Sequence, residues 1–167
     1  SAWILLILML LLSLFTVLSI PKEGRDLCFT LAAFSLPFIL LYPSAKRWFR
    51  YPQLILSICW GFSVLIPWAA SESSLDGGLT LVFCWLASVF WTFGFDTVYA
   101  MADEAEDKLI GRYSSVISLG EKSIKIVSFC YGLTCFFIAI ASIKANLGLI
   151  YWPFWLITTL GMQREVF

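Results

Sequence analysis

Long apolar runs broken by short polar stretches set the pattern of this chain. A helix needs about 20 apolar residues to cross a bilayer, with a range near 17–25. Six runs approach that template, the second being shorter: residues 2–20, 27–42, 54–70, 79–95, 124–143 and 147–162. Pro21 closes the first run, Pro37 lies inside the second, and Pro52 introduces the third. Pro153 interrupts the sixth, which is the weakest. A helix satisfies its own backbone groups in lipid, so the expected fold is all-α. The expectation is a polytopic transmembrane bundle of about six spanning helices, forming a single domain over residues 1–167. The helical pattern of the fourth run continues into the polar segment behind it. No internal repeat is visible.

Composition supports a membrane class. Hydrophobic residues make up 60% of the chain and charged ones 13%. Soluble domains run near 45–50% apolar and about 25% charged. Mean hydropathy is +0.89. The environment is a lipid bilayer, and a net charge of zero gives no reason to expect a nucleic-acid partner. The absence of histidine excludes histidine metal sites, histidine bases and Ser-His triads. The five cysteines lie in or beside apolar runs with no Cys-x-x-Cys pair, which predicts reduced thiols acting as small hydrophobes.

With six spans, Lys46, Arg47, Arg50, Lys108, Arg112, Lys122, Lys125 and Arg164 fall on one face, and Lys22, Arg25 and Lys144 on the other. The positive-inside rule makes the first face cytoplasmic. Two polar connections then share it, 43–52 and 96–123. The chain opens on Ser1 inside an apolar run and stops at Phe167 after a helix-like stretch, so it reads as a fragment.

The second of these connections brings five acids into twelve residues: Asp96, Asp103, Glu104, Glu106 and Asp107. At about 100° per residue, with Asp96 at zero, Asp103 falls near −20°, Asp107 near +20° and Tyr99 near −60°. Asp96, Asp103 and Asp107 thus share one helical stripe about 16 Å long. Asp103 and Asp107, one turn apart, can share an ion, with Glu106 beside them. Such a stripe can hold Mg²⁺ whose other ligands are water and diphosphate oxygens. A solvated acidic loop is the alternative reading. Gly111, Ser114 and Ser115 suggest a flexible turn. Lys46 and Arg47 in the other connection suit a phosphate or carboxylate, and the positive-inside rule alone would also place them there. Trp48, Tyr51, Trp152 and Trp155 are expected interfacial anchors.

Together these residues resemble the UbiA-type family of intramembrane prenyltransferases, in its 4-hydroxybenzoate polyprenyltransferase branch. One signature stands as Asp96, Thr97, Tyr99, Ala100, Met101, Asp103, Glu106, Asp107, Gly111 and Ser114. A second stands as Tyr42, Pro43, Lys46 and Arg47, followed by Pro52, Gln53, Gly61 and Ser63. The family's earlier motif, Asn-Asp-x-x-Asp-x-x-x-Asp, has no counterpart here, and the six runs resemble the third to eighth helices of a nine-helix bundle.

The resemblance implies Mg²⁺-dependent transfer of a polyprenyl group from polyprenyl diphosphate to the ring of 4-hydroxybenzoate, in quinone biosynthesis. It implies a bacterial inner (plasma) membrane location with the acidic and basic loops cytoplasmic. Asp103, Asp107 and Asp96 would be metal ligands. Asp96, Arg47 and Lys46 would act on the acceptor or the diphosphate, and Tyr99, Tyr42 and Glu106 would touch substrate. Another acceptor (homogentisate, a chlorophyll precursor or haem) and an inactive truncated remnant are the alternatives.

Overall fold

The computed structural model describes residues 2–164 and 166; the outermost positions of the expected 1–167 domain lie outside the described residues. All regular structure among these residues is helical. Six long helices appear where the apolar runs predict them: α1 (Ala2–Ser19), α2 (Lys22–Ala45), α3 (Pro52–Glu72), α4 (Gly78–Ala102), α7 (Ser123–Lys144) and α8 (Tyr151–Arg164). Two short helices, α5 (Glu104–Leu109) and α6 (Ser115–Leu119), and a 3-10 turn at Gly120–Lys122 fill the connection between α4 and α7.

Length separates these helices. Lys22–Ala45, Pro52–Glu72, Gly78–Ala102 and the near-continuous stretch Ser115–Lys144 are long and apolar enough to cross a bilayer. α1, with 18 residues, is the next in length. The 14 residues of α8 rise only about 21 Å, short of a hydrocarbon core near 30 Å. Four of the six expected spans are therefore long and apolar enough, α1 with 18 residues sits at the lower limit of the range, and α8 falls short of it. The second helix also exceeds its expected bounds at both ends. It absorbs Lys22 to Asp26 in its first turns, and it runs through Pro37 and Pro43 to Ala45.

The helices line up largely in chain order. α2 packs on α3, α3 on α4, α4 on α7 and α7 on α8, and no substantial contact joins α2 to α7 or α8 among the described residues. The result is an open row. Its interfaces rest on small residues, because in lipid the gain comes from close backbone approach and not from expelling water. Methyl groups added at three glycines would collide with the neighbouring helix. At Gly24 the obstacle is Ala69 O, 2.9 Å away; at Gly61 it is Trp85 Nε1, at 2.5 Å; at Gly94 it is the Tyr131 ring, at 2.8 Å. α8 is fastened by polar groups. Ser128 Oγ donates to Gln163 Oε1 at 2.7 Å, Gln163 Nε2 donates to Ser128 O at 3.1 Å, and Trp155 Nε1 donates to Cys135 O at 3.0 Å. All five cysteines are free; Cys28, Cys130 and Cys135 are buried, and Cys59 and Cys84 are partly so.

The Gly94→Ala variant is expected to lose about 1–3 kcal/mol through overpacking against Tyr131. Gly132→Ala is its control: the added methyl meets only Gln163 Nε2, at 3.7 Å, and is expected to be neutral or stabilising. Thermal unfolding of the purified protein in detergent distinguishes the two.

Candidate functional site

The acidic segment does not continue α4 as one rod. The helix ends at Ala102, Asp103 adopts φ −95° and ψ 0°, and α5 starts at Glu104. The three-aspartate stripe is therefore interrupted at its middle member. Asp96 lies on α4, Asp103 at the break, and Asp107 on α5, with its N–H donating to Asp103 O at 2.9 Å. Asp103 and Asp107 remain one turn apart, whereas Asp96 lies on α4, before the break. Among the described residues no three acids or cysteines converge as a metal site.

The half-buried Asp96 and the buried Asp107 each have a partner from α2. Tyr42 Oη donates to Asp96 Oδ2 at 3.3 Å. Lys46 Nζ donates to Asp107 Oδ2 at 2.9 Å; the Asp107 side chain is 4% exposed and that of Lys46 26%. Tyr42 and Lys46 are four residues apart on α2 and share a face. That spacing puts a phenol and an ammonium in one line, facing two carboxylates. The other ion pair among the described residues joins Lys108 to Glu104 at 2.7 Å along α5. Arg47, Asp103 and Glu106 are exposed and take part in neither pair.

The connection expected to be a flexible turn is instead tightly closed. Gly111 sits at φ +67°, where a side chain is strained. Arg112 N–H donates to Asp107 O at 2.8 Å and Gly111 N–H to Lys108 O at 3.3 Å, which together form a Schellman end to α5. Tyr113 N–H then donates to Lys46 O at 2.7 Å. Lys46 thus holds the acidic segment twice, by side chain and by backbone. Ser114 caps α6, accepting from Ile117 N–H at 3.3 Å.

A second support lies beneath. Gln53, 1% exposed at the start of α3, accepts from Ser115 N–H at 2.8 Å. Ser115 Oγ lies 2.7 Å from Thr97 Oγ1, which donates to Phe93 O at 2.7 Å. Three fully buried residues, Gln53, Thr97 and Ser115, therefore lock α3, α4 and α6 together. The sequence singles out these positions as members of motifs. Their roles in supporting the site emerge only from the fold.

Beside Tyr42 a cavity of about 270 Å³ opens between α2 and α3, lined by Ile39, Tyr42, Leu56, Cys59, Trp60 and Ser63. On α4 the rings of Trp91, Phe95 and Tyr99 form a ladder, with centroids 5.0 and 4.8 Å apart. Tyr99 is 63% exposed and belongs to this ladder, not to the Tyr42–Asp96 contact.

A membrane helix bundle with paired acids, a phenol and cations at one end, beside an apolar cavity, is the class that fold and site define. The model of the UbiA prenyltransferase family matches residues 1–166, and the chain belongs to that family. It is 43% identical over 126 residues to a 4-hydroxybenzoate solanesyltransferase of Synechocystis, covering 75% of this chain and 42% of that protein. It is 36% identical over 114 residues to a 4-hydroxybenzoate octaprenyltransferase of Cupriavidus necator, covering 68% and 38%. A mitochondrial 4-hydroxybenzoate polyprenyltransferase of Dictyostelium discoideum is 34% identical over 122 residues, covering 73% and 26%. The matched chain thus spans roughly two-fifths or less of the length of these relatives. No solved structure matches it.

Two outcomes follow from the contacts. In a double-mutant cycle of Lys46→Met and Asp107→Asn, a coupling energy of about 1 kcal/mol or more is expected, read from unfolding in detergent. Gln53→Ala strands the Ser115 N–H and is expected to cost about 1–3 kcal/mol in the same measurement.

Proposed function

We propose that this protein transfers a polyprenyl group from a polyprenyl diphosphate to the ring of 4-hydroxybenzoate, in quinone biosynthesis, at the cytoplasmic face of a bacterial inner membrane. The observation that carries the reading is the pairing of Tyr42 with Asp96 and of Lys46 with Asp107, with Tyr42 also lining an apolar cavity. The family membership and the names of the relatives support it.

The donor set suits Mg²⁺. That ion takes one or two carboxylates and fills its remaining positions with water and substrate phosphate. Asp103 is exposed, and Asp107 keeps one oxygen outside its contact with Lys46. Asp103 and Asp107 would hold the ion, with Asp96 nearby and Glu106 on the outer side. When bound, it supplies charge neutralisation for a departing diphosphate.

The remaining work falls to the chain. Asp96 offers a carboxylate to the hydroxyl of a phenolic acceptor, and Tyr42 holds that carboxylate in place. Arg47 is free to pair with the acceptor carboxylate or with diphosphate oxygens. Ile39, Leu56, Cys59 and Trp60 give the prenyl tail an apolar wall that keeps water from the reacting carbon.

Membranes carrying the full-length protein are expected to prenylate 4-hydroxybenzoate only with Mg²⁺. Asp103→Ala is expected to lower the rate about a hundredfold, a loss of the size seen when one stabilising polar group is removed from an active site. Full activity of that variant, or activity in excess chelator, overturns the metal role. Equal turnover of homogentisate in competition overturns the acceptor.

A further inference from the structure

A polar recess borders the end of the basic connection. Its volume is about 300 Å³, and it is lined by Arg50, Tyr51, Tyr113, Ile117 and Ser118. None of the residues assigned above to prenyl transfer lines it. We propose that this recess seats the phosphate headgroup of an anionic bilayer lipid.

Its position fits that ligand. Arg50 stands two residues before Pro52, the first residue of one full-length span, and five residues beyond Ala45, the last of another. Tyr113 stands two residues before Ser115, where the third span of this end begins. Three spans therefore terminate around the recess, which is the depth at which headgroups lie. Trp48, Phe49 and Tyr51 form a chain of rings alongside, with centroids 5.8 and 6.5 Å apart, and such rings favour that depth.

Its chemistry fits as well. Arg50 is exposed, and the two ion pairs among the described residues employ Lys46 and Lys108 instead. A guanidinium binds phosphate oxygens with a planar fork of donors. No carboxylate lines the recess to compete for it. Two tyrosine hydroxyls and Ser118 add polar groups, and Ile117 gives an apolar wall for the start of an acyl chain. The walls are held in advance: Ser118 Oγ donates to Arg50 O at 2.6 Å, and Tyr113 N–H donates to Lys46 O at 2.7 Å.

The test is native mass spectrometry of the purified chain in mild detergent, titrated with phosphatidylglycerol or phosphatidylcholine. Phosphatidylglycerol is expected to be retained several-fold better. Arg50→Gln is expected to cut that preference about fivefold, the loss that follows removal of one interfacial cation. Tyr113→Trp, which fills the recess without changing charge, is expected to act in the same direction. Arg25→Gln, at the far end of α2, is expected to leave the preference intact. An unchanged preference in Arg50→Gln, or an equal loss in Arg25→Gln, overturns the assignment. Displacement of phosphatidylglycerol by an equal concentration of inorganic phosphate assigns the recess to a free anion and overturns the lipid.

Discussion

A carboxylate shut away at the end of an apolar bundle has to be neutralised where it stands. Leaving one ionised and unpaired costs several kcal/mol, and the chain answers with Lys46. The Lys46–Asp107 pair does more than cancel charge. It ties the exit of α2 to α5, and the Tyr113 bond to the Lys46 carbonyl makes that tie double. Everything at this end of the bundle inherits its position from the tie: the line of Tyr42 against Asp96, the placement of Asp103, and the closure of the chain towards α6.

Beneath it, the contact of Gln53 with Ser115 and Thr97 is a polar joint inside an apolar wall. Such joints are stable only when every member has a partner, and here the amide carbonyl, the serine N–H and both hydroxyls are engaged. The small residues along the helix interfaces serve the same end. Gly61 and Gly94 let α3, α4 and α7 approach closely, and that proximity brings the ends of these helices near enough for short side chains to meet. The site is a product of packing along the helices that carry it.

Most of the helices were legible in the apolar runs, because a run of about 20 apolar residues has one economical structure in lipid. The short eighth helix was less so, since hydropathy counts apolar residues and does not see where a helix starts. The break at Asp103 could not be read, because the helical periodicity from Asp96 to Asp107 passes through it without a glycine or proline. Gly111 was visible as a turn residue, yet its part in a fixed helix end depends on the Arg112 and Asp107 backbone groups. Lys46 was marked for a substrate anion. Its protein partner lies 61 positions later in the chain, and no local rule connects them.

The Schellman end at Gly111 has a mechanical consequence. A segment clamped at its downstream end by three backbone bonds cannot flap open there. Any breathing that admits a bulky guest would pivot at the upstream joint, where Asp103 leaves helical geometry, and α5 would swing as a stiff arm about that exposed acid.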